Sequence, residues 1–368
     1  MTRPFSRRQW RIYVAAQIFA ALTGAAFGLA AGGVMLKPPL LGAALGALSA
    51  VVDSVAMMTF IGGAEIFLPR SRLGRALGRA PVLAVLAVKL VLYSTVVLAV
   101  VGGRLGPHVA VLALDHETAA GIAAQVEAGF PRGVLAAAAA VIVFLMVLLR
   151  QTTLLIGERT ARQIMLGRYR QPRTEERFFL FVDIVGSTPV AERLGPLSVH
   201  RYLDRIFQLA SDPIDDHGGD VYQYVGDEIV VTWTVAEGRT GARPLACFFA
   251  IEAALARAAP EFERDFGTAP KLRAALHAGE VVTGEIGGSR RAIVFHGDVM
   301  NTTSRIENAT RDLGRPFLVS EDALSLLAGA KEGYALEDLG PQQLRGRQAA
   351  MRVYAVAGGP EKPGGVRE

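Results

Sequence analysis

The chain has one cysteine, Cys247, in 368 residues. That excludes a disulfide framework and leaves no cysteine cluster to ligate a metal. Cys247 lies in an apolar, helix-like stretch and reads as a small buried hydrophobe. Tryptophan occurs twice, and aromatics make up only 7% of residues. Acidic side chains are scarce in the first 150 residues, at Asp53, Glu65, Asp115, Glu117 and Glu127 alone. The whole chain is 51% hydrophobic and carries a net charge of +5. The apolar excess is gathered before Arg150. Long runs with so little charge belong in lipid. The positive balance comes largely from arginines flanking those runs, which points to a membrane surface and away from nucleic acid.

Four apolar runs, 12–36, 40–68, 81–103 and 133–156, each meet the length of a spanning helix. The first follows Arg3, Arg7, Arg8 and Arg11 but is too long for a signal peptide. Arg70, Arg72, Arg75 and Arg79 lie between runs two and three, and Arg150, Arg159, Arg162, Arg168, Arg170 and Arg173 follow run four. The other two connections are poor in positive charge. This asymmetry predicts a multi-pass protein of the inner (plasma) membrane with both termini cytoplasmic. The segment 109–128 reads as a short interfacial helix. Asp53, Glu65 and Lys89 fall within the runs, where ionisable groups either pair with one another or mark a functional site. Glycines such as Gly24, Gly28, Gly42 and Gly46 suit close helix contacts within or between chains. A basic stretch with a helical apolar stripe then leads to Pro172.

The second half alternates strands and helices, the mark of an α+β domain. Its organising stretch is Phe178-Phe179-Leu180-Phe181-Val182-Asp183-Ile184-Val185-Gly186-Ser187-Thr188. An apolar run reads as a buried strand over 177–183, ending in a carboxylate. The Gly-Ser-Thr turn would offer backbone N–H groups beside it. A carboxylate next to anion-binding donors suits a nucleoside triphosphate with Mg²⁺. A plain helix-capping aspartate would look the same. A helix is expected over 189–217, and 221–233 reads as two strands joined at Gly226-Asp227. Asp227 is a second carboxylate at a strand end, or simply part of a hairpin turn. A helix over 241–266 and strands over 271–278, 281–286 and 292–295 follow. Asn301 and Arg305, four apart in a helix over 299–311, share one face and suit a ribose and a transferring phosphate. Gln343-Leu344-Arg345-Gly346-Arg347 is a basic turn before a last strand, 352–356.

Four pieces in order, around Asp183, around Gly226-Asp227, over 297–307 and over 344–347, resemble the catalytic domain of the class III nucleotidyl cyclases. The resemblance covers 177–357. It implies a ferredoxin-like α+β fold that works as a head-to-tail homodimer. The chain would then comprise an α-helical membrane domain of about four spans (1–156), a helical linker (157–176), the cyclase domain (177–357) and a disordered tail (358–368). The resemblance further implies that Asp183 and Asp227 bind two Mg²⁺, replaceable by Mn²⁺. Ile184, Val185, Gly186, Ser187 and Thr188 would cradle the phosphates. Asn301 would orient the ribose and Arg305 would stabilise the transition state, both from the partner chain. Arg347, or Arg345, would hold the terminal phosphates.

At the base-contact positions Gln223 and Val294 match neither the adenylyl nor the guanylyl pattern of the family. The implied activity is an adenylate cyclase making 3′,5′-cyclic AMP from ATP, dimerised through the cyclase domain and the membrane spans. The alternatives are GTP as substrate, an inactive nucleotide-binding module, and a transporter with a cyclase-like appendage.

Overall fold

A computed structural model describes residues 7–35, 39–68, 82–102, 144–149, 157–288, 292–327, 333–344 and 349–358, with 71, 74, 80 and 141 besides. The chain divides into two compact units, Met1–Ala161 and Arg162–Glu368.

Among its described residues the first unit contains three long helices, α1 (Arg7–Met35), α2 (Pro39–Phe67) and α3 (Val82–Gly102). Two of them are long and apolar enough to cross a membrane, over Tyr13–Ala30 and Ala43–Glu65, and a shorter apolar stretch runs Ala84–Val97. The fourth expected span lies mostly, and the interfacial helix 109–128 wholly, outside the described residues. Lys89 Nζ donates to Glu65 Oε1 at 2.7 Å, and Tyr93 Oη donates to the same oxygen at 2.5 Å. Two of the three ionisable groups expected within the runs thus pair with each other, which is how such groups are tolerated in an apolar surrounding.

A short helix, α4 (Glu158–Met165), contains the division between the units, and the second unit holds a sheet. Its sheet has the order β2-β3-β1-β4-β6-β8-β7, with β5 paired to β4. The first part runs β1 (Arg173–Ile184), α5 (Ser187–Leu194), α6 (Pro196–Asp216), β2 (Asp220–Val225), β3 (Glu228–Thr234), α7 (Arg243–Phe266) and β4 (Leu272–Ile286). That is the β-α-β-β-α-β path of ferredoxin-like folds. There follow β5 (Ala292–His296), α8 (Asp298–Asp312), β6 (Phe317–Ser320), α9 (Glu321–Leu326), β7 (Leu336–Gln342) and β8 (Met351–Val356). The sheet is mixed, because β6 runs parallel to β4.

Period-two alternation along β1 explains its two faces. Phe178, Leu180, Val182 and Ile184 pack with α6 and α7, while Phe179 and Phe181 pack with Val299 of α8 on the other side. Tyr202, Ile206, Ala210 and Ile214 recur every four residues and form the buried stripe of α6. Cys247 is fully buried in that core, and burial pushes its thiol pKa up, so it packs as a hydrophobe.

Several boundaries differ from the sequence expectation. The helix expected over 189–217 breaks at Gly195-Pro196, where proline opens a new helix. The two strands expected over 271–286 are one, because β1 pairs with β4 from Leu272 to Thr283. β1 itself starts at Arg173, four residues early. Its first residues build a buried ionic knot. Arg177, 2% exposed, donates to Glu175 at 2.9 Å and to Thr232 at 3.0 Å, with its guanidinium over the Phe295 ring. Glu175 also accepts from Thr283 and Tyr169. Burial alone would raise the Glu175 pKa, but Thr283, Arg177 and Tyr169 together hold it below the usual carboxylate range.

A fragment begun at Arg177 therefore loses Glu175 and Tyr169 and leaves the buried guanidinium with Thr232 and, at 4.0 Å, Asp220. Breaking such a pair costs about 3–5 kcal/mol. We expect a fragment starting at Arg177 to melt roughly 10 °C below one starting at Arg162, from about 2–4 °C per kcal/mol at this size. Equal midpoints in differential scanning fluorimetry would refute that role for the knot.

Candidate active site

Asp183 is the last residue but one of β1 and lies on the α8 face with Phe179 and Phe181. Its cross-strand partner on β4 is Arg273. Directly opposed residues of an antiparallel pair share a face, so carboxylate and guanidinium meet. Arg273 Nη2 donates to Asp183 Oδ2, and Arg273 Nε donates to Glu307 Oε1 at 2.7 Å. Arg311 Nη2 stands 3.9 Å from the same Asp183 oxygen. Asp183 and Glu307 are each only 6% exposed.

Asp227 reaches this cluster through the β2–β3 hairpin. Gly226 takes the left-handed conformation that the tight turn demands, at φ 62°. β3 pairs Ile229 with Val182 of β1, which sets the turn beside the end of β1. Asp227 stands close enough to Asp183 to raise the cost of ionising it. Burial first, and then Asp227, push the Asp183 carboxyl up to about 6, with Arg273 pulling the other way. Burial, followed by Glu307, Asp183 and Asp227, pushes Glu228 up to about 7. Four acids thus crowd Arg273, with the exposed Arg311 as a more distant second cation, an arrangement that favours further positive charge.

Among the described residues no group of three or more His, Cys, Asp or Glu side chains could hold a metal ion by itself. Two close carboxylates without a third still suit Mg²⁺, which keeps waters and takes phosphate oxygens for its other ligands. The residues fit the ion as part of a metal–nucleotide complex.

The turn after β1 leads straight into a helix. Gly186 is left-handed at φ 70° and starts α5, whose first turn has no side-chain cap. The N–H groups at that helix start have no intrahelical acceptor. Ile184 is buried in the strand, paired with Leu272, and the Val185 N–H donates to the Lys271 carbonyl at 2.9 Å. The open donors are therefore those of Gly186, Ser187 and Thr188.

Asn301 and Arg305 stand on the outward face of α8, exposed and half-buried, while Thr302, Thr303, Ile306 and Glu307 face the sheet. Among the described residues no hydrogen bond or ion pair joins Asn301 or Arg305 to Asp183 or Asp227. Gln223 is exposed, after a β-bulge that shifts the β2–β3 register between Val221 and Gln223. Val294 is half-buried opposite Gly284. Their chain neighbours Tyr222 and Phe295 stack edge to face, with ring centroids 4.9 Å apart. Arg345 and Arg347 fall outside the described residues.

Sequence reasoning missed Arg273, Glu307, Glu228 and Arg311. One signal was available, namely an arginine inside the apolar strand Leu272-Arg273-Ala274-Ala275-Leu276. A lone charge there needs a partner.

The family described as the adenylate and guanylate cyclase catalytic domain matches residues 170–358. Adenylate cyclase 2 of Rhizobium meliloti (strain 1021) is 38% identical over 214 residues, 58% of this chain and 59% of that protein. Adenylate cyclase 1 of the same strain is 30% identical over 190 residues, 49% of this chain and 27% of that protein. The chain thus spans well under two thirds of either relative's length. The crystal structure of the adenylyl cyclase CyaB from P. aeruginosa superposes with a TM-score of 0.47 at 18% identity, covering 53% of this chain and all of that one.

Proposed function

The chain belongs to the adenylate and guanylate cyclase catalytic domain family, and from that premise we propose that it is a membrane-bound adenylate cyclase working as a homodimer. The observation that carries the reading is the pairing of Asp183 with Asp227 beside an uncapped helix start, with Asn301 and Arg305 turned outward. One chain holds two half-sets that do not meet within it. A head-to-tail dimer closes each half-set with the other's complement and makes two equivalent sites.

In this reading Asp183 and Asp227 hold two Mg²⁺ with the triphosphate. The ions, when bound, supply charge neutralisation and make the ribose hydroxyl easier to deprotonate. The N–H groups of Gly186, Ser187 and Thr188 hold phosphate oxygens. Asn301 of the second copy aligns the ribose, so that its 3′-oxygen faces the α-phosphorus. The 3′-oxygen–phosphorus bond forms, the bond from the α-phosphorus to the bridging oxygen breaks, the hydroxyl proton passes to solvent water, and pyrophosphate departs. Arg305 of the second copy stabilises the charge that gathers on the α-phosphoryl oxygens. Arg347 or Arg345 takes the terminal phosphates. The chemistry needs alignment and charge compensation more than covalent help.

The Tyr13–Ala30 and Ala43–Glu65 helices support a membrane anchor, and the arginine-rich flanks support cytoplasmic termini. ATP is the proposed substrate in view of the adenylate cyclase relatives. GTP is the second reading, because the Gln223 amide both donates and accepts and so fits either base edge. Full-length chain in membranes, given ATP or GTP with Mg²⁺ or Mn²⁺, should yield cyclic AMP in excess of cyclic GMP by chromatography. Predominant cyclic GMP would move the substrate to GTP. No cyclic product from either nucleotide, with dimers demonstrated, would sink the enzyme reading.

A further inference from the structure

Helix α8 has two working faces. Its outward face carries Asn301 and Arg305. Glu307 lies two residues beyond Arg305, a rotation of about 200° around the helix, and is buried against the sheet. There it holds Arg273 at 2.7 Å, and Arg273 holds Asp183. The one guanidinium serves both a site carboxylate and the helix. Arg311, on the same helix, adds a weaker tie to Asp183 at 3.9 Å.

We propose that Arg273 and Glu307 form a coupling pair that links the Asp183 end of one site to the Asn301–Arg305 face lent to the other. The inference rests on the homodimeric cyclase reading above. A cation that takes the Asp183 oxygen competes with the Arg273 guanidinium for it. The guanidinium shifts its pairing toward Glu307, which draws on α8 from its buried side. Asn301 and Arg305 move as part of the same rigid helix. Filling one site therefore changes the half-set offered to its neighbour, and the two sites of a dimer bind unequally. Glu307 is a positioning residue in this scheme, because it reaches the site only through Arg273.

The test measures binding, so that it does not depend on turnover. Full-length dimer in detergent micelles is titrated calorimetrically with 3′-deoxy-ATP, which lacks the attacking hydroxyl, in saturating Mn²⁺. We expect two affinities per dimer, separated by at least about five-fold, the lower range of site-to-site coupling. Glu307→Gln removes the charge with little change of shape and should merge them into one class. Glu307→Asp keeps the charge and should restore the split. Arg273→Lys, a second route to the same break, should also merge the classes and serves if Glu307→Gln does not fold. Equal affinities in the unmodified dimer, or an unchanged split in a folded Glu307→Gln or Arg273→Lys chain, would overturn the coupling. An Asp183→Asn dimer that binds like the unmodified one would instead overturn the site assignment beneath it.

Discussion

Mixing Asp183→Ala and Asn301→Ala chains should restore cyclase activity that neither chain has alone. Each change removes one half-set from every site of its own homodimer, and each should cut activity by at least about 100-fold. In a mixed dimer the damage falls together. One site combines the altered Asp183 position with the altered Asn301 position, and the other is intact. Random pairing at equal amounts makes about half the dimers mixed, so about a quarter of all sites are whole under two-fold symmetry. Recovery should approach that fraction. The expectation rests on the outward position of Asn301 and Arg305 on α8, opposite Glu307. Co-purification through two different tags shows that mixed dimers exist. Their presence without recovered activity would mean that the half-sets do not pair between chains.

Much of the second unit was legible because its signals are local. The run from Phe178 to Asp183 is apolar and short, and it is a buried strand. Gly226-Asp227 was readable as a turn because a left-handed residue there favours glycine. Asn301 and Arg305 follow helical spacing alone. What stayed hidden depends on register between distant segments. Asp183 meets Arg273 only because β1 pairs along its whole length with Leu272–Thr283 of β4, across 90 residues of chain. The parallel β4–β6 pairing gave no periodic signal, since the four-residue β6 (Phe317–Ser320) is too short to show one, and the seven-residue β7 is interrupted by Gly340 and Pro341. The first unit was legible by hydropathy, which identifies apolar length but does not pair Glu65 with Lys89; that contact needs two helices side by side.

Replacing Asp227 with asparagine should separate function from stability. With no cation bound, burial first and then the neighbouring acids, Asp227 among them, push Asp183 up to about 6 and Glu228 up to about 7. Both pKa values lie above those of the unfolded chain, near 3.8 and 4.5. The stabilising effect of their protonated forms is present in acid and is lost as pH rises through about 6 to 7. Asp227→Asn keeps the size of the side chain and removes one charge from the crowd. The metal-free Asp227→Asn chain should therefore be more stable than the unmodified one at pH 8, by on the order of 1 kcal/mol. That corresponds to roughly 2–4 °C in melting midpoint. The gap should close toward pH 4, below the raised values of Asp183 and Glu228. Activity should move the other way, because one of two carboxylates that would hold the ions is gone. A loss on the order of 10³-fold corresponds to several kcal/mol of transition-state charge stabilisation. Melting curves from pH 4 to 8 without divalent ions, set beside cyclase assays of the same preparations, decide the matter. A less stable Asp227→Asn chain at pH 8 would show that Asp227 supports the fold and does not strain it. Full activity in that chain would remove Asp227 from the site.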